Sequence, residues 1–149
     1  MGLLACGSAA AQAQQVQISN LSDVGFGAIS NLQADISQSQ TVCAFSNILS
    51  ARYSITATGS GTGGAFTLTN GAANLAYDVQ WNALANQTSG TALSPGTALT
   101  GQVSGAVTFG CTLGLTSSGS LMIILRAATL SSAAAGNFSG TLSLMIAPN

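Results

Sequence analysis

Lysine, glutamate and histidine are missing from this sequence altogether, and its charged residues are two arginines, Arg52 and Arg126, and three aspartates, Asp23, Asp35 and Asp78. At 3% charged residues, the chain lies far below the roughly 25% of an ordinary soluble domain. Each absence removes a class of chemistry. Nucleic-acid binding requires several cations to neutralise phosphates and release counterions, and two scattered arginines cannot supply them. Acid–base catalysis near neutral pH usually recruits histidine, lysine or a tuned glutamate, and only aspartates are on hand. A zinc or transition-metal site would have to be assembled without imidazole from three cysteines and three aspartates, none of them at ligand spacing. The composition therefore points away from an enzyme and implies no cofactor. Long hydrophobic runs are also lacking. The longest aliphatic stretch, residues 121–125 (LMIIL), is far short of the roughly 18 consecutive apolar residues of a spanning helix, so no transmembrane segment is expected.

What is present is small, apolar and regularly punctuated. The 149 residues are 47% hydrophobic with 18 glycines, a length that suits one domain with a core of its own. Disordered segments are poor in the branched and aromatic residues that recur here in short runs. Residues 1–13 (MGLLACGSAAAQA) are small and apolar and end in Ala11-Gln12-Ala13, an A-x-A pattern of the kind that precedes signal-peptidase cleavage. The stretch is short and has no basic start, as if the natural beginning lay upstream. Leu3-Leu4-Ala5-Cys6 also fits a lipobox, in which Cys6 becomes the lipidated first residue. Both readings imply export, and both leave residues 14–149 as one domain. They also remove Cys6 from the thiol count, so that Cys43 and Cys111 remain as an even pair in an exported chain and are expected to form a disulfide. The loop it closes restricts the unfolded chain by an amount worth roughly 4 kcal/mol.

The hydrophobic period along the chain is two. Strand-like runs fall near 24–29, 40–46, 52–59, 65–70, 75–82, 102–110, 120–126 and 138–146, separated by Gly, Ser, Asn and Pro, and no stretch carries a helical stripe. Tyr53, Ile55 and Ala57 share one face, as do Tyr77, Val79 and Trp81. Phe138, Leu142, Leu144 and Ile146 share another, with Thr141 and Ser143 opposite. This pattern predicts half-buried strands of an antiparallel sandwich. Cys43 shares its face with Phe45, and Cys111 with Phe109 and Val107, so both sulfurs are expected to point into the core. The run 121–125, apolar on both faces, fits a central strand. The glycine-rich stretch 59–64 fits a turn; as a phosphate loop it lacks both the lysine and the following helix. Residues 127–136 form a connection with room for one helical turn.

In chain order these segments resemble a known family. Residues 135–148 (AGNFSGTLSLMIAP) look like the closing strand of chaperone/usher pilus subunits. Residues 23–29 (DVGFGAI) resemble the first strand of spore coat protein U domains, the archaic branch of that pathway. Cys43 followed by 53–57 (YSITA) and 75–81 (LAYDVQW) resembles that family's cysteine-bearing strand and a later L-x-Y strand. The resemblance implies an incomplete immunoglobulin-like antiparallel β-sandwich, all-β, exported through the periplasm to the cell surface with a periplasmic chaperone and an outer-membrane usher as partners. Other copies or related subunits would supply a strand that fills an open groove, with main-chain hydrogen bonds giving affinity and alternate apolar side chains giving register. Leu142, Leu144 and Ile146 would line the acceptor groove. The donor would be residues 14–19 (QQVQIS), with Val16 and Ile18 as plugs. The family's early cysteine is absent and little chain precedes Asp23, so Val16 and Ile18 equally fit the first strand of the domain itself. Three functions are thereby distinguished: a structural subunit of a surface pilus or coat, a monomeric secreted or lipid-anchored binding module using loop 83–101 beside Trp81, and an enzyme built on Asp23, Asp35 or Asp78 with a hydroxyl.

Overall fold

The computed structural model describes residues 14–48, 50–106, 111 and 117–149. Residues 1–13, with the expected signal and Cys6, lie outside this set, as do Val107 and Phe109.

The chain is almost all β, as its period of two predicts, and it folds as an antiparallel sandwich. One sheet holds β1 (Val16–Ser19), β2 (Ile36–Ser46), β9 (Gly119–Leu125), β6 (Asp78–Asn82) and β7 (Thr91–Ala92), side by side in that order. The facing sheet has the order β10 (Leu142–Pro148), β3 (Arg52–Gly59), β8 (Ala98–Val103). A short hairpin of β4 (Thr67–Thr69) and β5 (Asn74–Ala76) and a single helical turn, α1 (Ala127–Leu130), complete the elements used below.

Parity places the core. Tyr53, Ile55 and Ala57 of β3 face Tyr77, Val79 and Trp81 across the gap, and all six are buried. The Trp81 Nε1–H donates to the Tyr53 hydroxyl at 3.2 Å, with the rings edge-on at 6.4 Å; the polar ends of two large side chains thus satisfy each other inside the core. Trp81 pairs with Thr91 and so does border the stretch 83–101, but at 1% exposed its indole faces the core and not a ligand. In β8, Tyr53 pairs with Gln102 but Ile55 with Leu99. The extra residue forms a bulge, and Gly101 takes the left-handed conformation it requires, at φ +72°.

The run 121–125 is the central strand β9, between β2 and β6. Leu121, Ile123 and Leu125 belong to the main core. Met122 and Ile124 are buried as well, because the connection after β6 folds over the outer face of the sheet. There the Ser120 hydroxyl accepts from the Gln87 N–H and donates to the Leu84 carbonyl, and Thr41 and Asn86 bond to each other.

Cys43 and Cys111 form the disulfide, with Cα atoms 5.6 Å apart at a sequence separation of 68. Its location corrects the expectation of an inward bridge. Val42 and Ala44 face the main core, whereas Cys43 lies on the opposite face of β2 in a separate cluster with Phe45, Ala106 and Cys111. Cys111 sits in a turn rather than on a strand. The disulfide therefore fastens the connection after β8 to the outside of the sheet. Just before β9 begins, the Ser118 hydroxyl replaces a strand by accepting from the Ala44 N–H at 2.8 Å and donating to the Ala44 carbonyl at 2.7 Å.

Other strand boundaries moved. β2 begins earlier than expected, at Ile36, and β10 begins later, at Leu142. The run 75–82 breaks at Tyr77 into β5 and β6. Residues 24–29 are not a strand at all, and residues 16–19 are one.

Candidate functional site

The site grows from an unpaired edge. β10 pairs in register with β3 from Leu142 opposite Gly59 to Pro148 opposite Tyr53; among the described residues no strand is hydrogen-bonded to its other edge, although β1 of the facing sheet lies close to it. In the facing sheet, β1 covers β2 only from Cys43 to Ser46, leaving residues 36–42 of β2 without a strand on that flank. The sandwich is therefore open along one side. The opening is a groove of about 1160 Å³ whose floor is Leu121, Ile123 and Leu125 of β9. Leu142 and Leu144 of β10 form one wall, with Leu68, Tyr77 and Phe138 towards one end.

Of the three residues expected to line such a groove, Leu142 and Leu144 do so, and Ile146 packs against the main core beyond it. All three are half-buried, while Met145, which points the other way, is 63% exposed. An apolar wall beside a free main-chain edge has the two elements that strand addition uses, pockets for alternate side chains and unpaired backbone groups.

Val16 and Ile18, the expected plugs, lie in β1 and pair with Ser46 and Ala44 of the same chain. The segment is held on several sides. Gln15 exchanges hydrogen bonds with Asn47, the Ser19 hydroxyl donates to the Cys111 carbonyl, and the Cys111 sulfur lies 3.7 Å from the Gln17 carbonyl.

Over the groove runs a segment whose apolar spacing at 24–29 predicts a strand that does not form. Residues 20–34 cross from the end of β1 to the start of β2 without joining a ladder. Phe26 and Ile29 turn inward against the main core, and Leu21, Val24 and Leu32 remain exposed on the strap. The glycines account for it: Gly25 and Gly27 alternate with Val24, Phe26 and Ala28, so the apolar positions have strand spacing on a backbone of unusual freedom.

The charges are structural in their arrangement. Arg126 bonds Asp35 at 2.8 Å and Asp78 at 2.6 Å, and the Ala127 N–H donates to the other oxygen of Asp35. That backbone donor, and then the guanidinium, hold the Asp35 carboxyl below its usual range, and both carboxylates raise Arg126. Three of the five charged groups thus bond one another at the junction of β2, β6 and β9, one guanidinium between two carboxylates. Asp23 stands apart from them at the mouth of the groove. No three potential metal ligands cluster among the described residues, and none of their helices is long and apolar enough to cross a membrane.

No family model matches this chain, and no curated protein does. In fold it is similar to a chain in a solved structure described as a chaperone–tip adhesin complex vital for synergistic activation of CFA/I fimbriae biogenesis. The TM-score is 0.57 at 16% identity, over 90% of this chain and 41% of that one. The chain thus spans about two-fifths of the length of the protein it matches, and the two share a fold.

Proposed function

We propose that this chain is a non-catalytic structural subunit of a bacterial surface pilus or coat, whose sandwich is completed by a strand from a partner. The observation that carries the reading is the bare outer edge of β10 beside an apolar groove floored by β9. The likeness to a fimbrial chaperone–adhesin complex supports it, as does the disulfide, which belongs to oxidising compartments. In this reading the chain is exported through the periplasm, a chaperone and an outer-membrane usher handle it, and the fibre consists of copies or related subunits. The donor is residues 14–19 of a neighbour. Val16 and Ile18 already present one apolar face in β1, and donation exchanges their pairing with β2 for pairing in trans, in the manner of a domain swap.

A labelled synthetic peptide of residues 14–22 tests the groove. Saturable binding is expected by fluorescence anisotropy, and Leu144→Asp should abolish it; equal binding by the variant, or none by the wild type, rejects the reading. A second reading, a monomeric surface module, is favoured by the way residues 15–19 are already fastened at home. Unboiled gels separate the two, since only a donor of residues 14–19 yields a ladder that Val16→Ser with Ile18→Ser removes.

A further inference from the structure

We propose that residues 20–34 are a built-in plug, which closes the groove from within the same chain and must be pushed aside before a partner strand can enter. The inference rests on the reading of the groove as a strand acceptor and says how access to it is controlled.

The strap is anchored at both ends and joins no ladder between them. At one end, β1 is held by β2 and by the disulfide-linked turn at Cys111. At the other, both oxygens of Asp35 are engaged by Arg126 and the Ala127 N–H. In between, Phe26 and Ile29 pack inward, and among the described residues one side-chain latch ties the strap to the sandwich by hydrogen bonds. Gln40 occupies a core-facing position of β2, two residues before Val42, where its amide would face the apolar groove. It is satisfied by the strap: its Oε1 accepts from the Ser22 N–H at 2.9 Å and the Ser22 hydroxyl at 3.0 Å, and its Nε2 donates to the Ser22 carbonyl at 3.2 Å. One side chain thus does for the strap what a ladder does for a strand, and a single latch is easily exchanged for a partner's main chain.

Phe26 fills the space beneath, and the spacing of Val24, Phe26 and Ala28 shows a dormant strand. Gly27 keeps it dormant. Its φ of +64° breaks the extended conformation, although the surrounding space would admit a side chain, since no atom lies within 4 Å of where a Cβ would stand. An L-residue there disfavours the plugged form and leaves the extended form untouched.

The test follows association of the labelled 14–22 peptide by stopped flow. Gly27→Val should bind roughly tenfold faster than wild type, the effect of removing a left-handed conformation that only glycine tolerates well. Equal or slower association overturns the plug. Hydrogen exchange supplies a second decision: amides 23–29 should change protection when peptide binds, and identical exchange with and without peptide overturns it too. If no variant binds the peptide, the acceptor reading fails, and an apolar dye then decides the plug alone. Phe26→Ala should raise dye fluorescence severalfold over wild type, and an unchanged signal means that Phe26 closes nothing.

Discussion

The two flanks of the five-stranded sheet are finished to different degrees. On its outer face, the connections after β6 and β8 are folded down and fixed by Ser120, Thr41, Ser118 and the Cys43–Cys111 bridge, so that even Met122 on the far side of β9 is fully buried. On its inner face towards β10, closure consists of an irregular strap, one glutamine latch and two inward side chains. Both flanks are apolar, so hydrophobicity alone does not separate them. The difference lies in main-chain hydrogen bonding: one side has its donors and acceptors engaged, and the other keeps a free edge. Among the described residues the outer edge of β10 stands beside an apolar groove, and an exposed strand edge of that kind offers main-chain donors and acceptors to another strand.

The largest blow to this contrast comes from the finished side. Cys43→Ser with Cys111→Ser should lower unfolding free energy by about 4 kcal/mol in urea titrations, the loop-entropy value for a ring of this size. A loss under about 1 kcal/mol would mean that the outer connection stays in place without its bridge.

Paired truncations along the groove come next. Leu125→Ala, at a position 1% exposed, should cost about 2–5 kcal/mol, as buried leucines do. Leu144→Ala, half-buried at the open wall, should cost about 1 kcal/mol in the isolated chain, roughly one-third of its full transfer value. If the two cost the same, the wall is as closed as the floor and the contrast disappears. With peptide bound, the Leu144→Ala deficit should grow.

The smallest effect concerns acid. Because the folded state lowers the Asp35 pKa, its contribution is fully present above the ordinary aspartate value of about 3.9 and is lost as pH falls through that region towards the folded value. Urea midpoints should be level between about pH 7 and pH 5 and decline below about pH 4. Asp35→Asn should flatten part of that decline, and an unaltered profile would remove the carboxylate from the account.

Much of the architecture could be read from parity, and the misreadings have physical causes. The run 52–59 became β3 with its boundaries intact, because Tyr53, Ile55 and Ala57 alternate cleanly with polar neighbours. The double-faced run 121–125 could only be central. The disulfide pair followed from counting cysteines, but not its face, since Val42, Cys43 and Ala44 are all buried in a sheet covered on both sides. Residues 24–29 carry a strand pattern and form no strand: a pattern supplies the side chains of a ladder, but not the partner on which the ladder depends. Residues 16–19 were too few to declare themselves, and their pairing with β2 is a long-range choice. The groove itself left no local signal, because an edge without a neighbour is a property of topology.

The arginine triad has a further consequence, for proteolysis. With no lysine and only Arg52 and Arg126 to recognise, a trypsin-like protease has two addresses in the whole chain. Arg52 opens β3 within a paired sheet, and the guanidinium of Arg126 is occupied by Asp35 and Asp78 while the next peptide N–H is bonded to Asp35. A cut after Arg126 would release α1 and β10 as a separate peptide, and with them the wall of the groove. The same three charges that join β2, β6 and β9 therefore also hold the backbone on either side of the bond after Arg126, on which the wall of the groove depends.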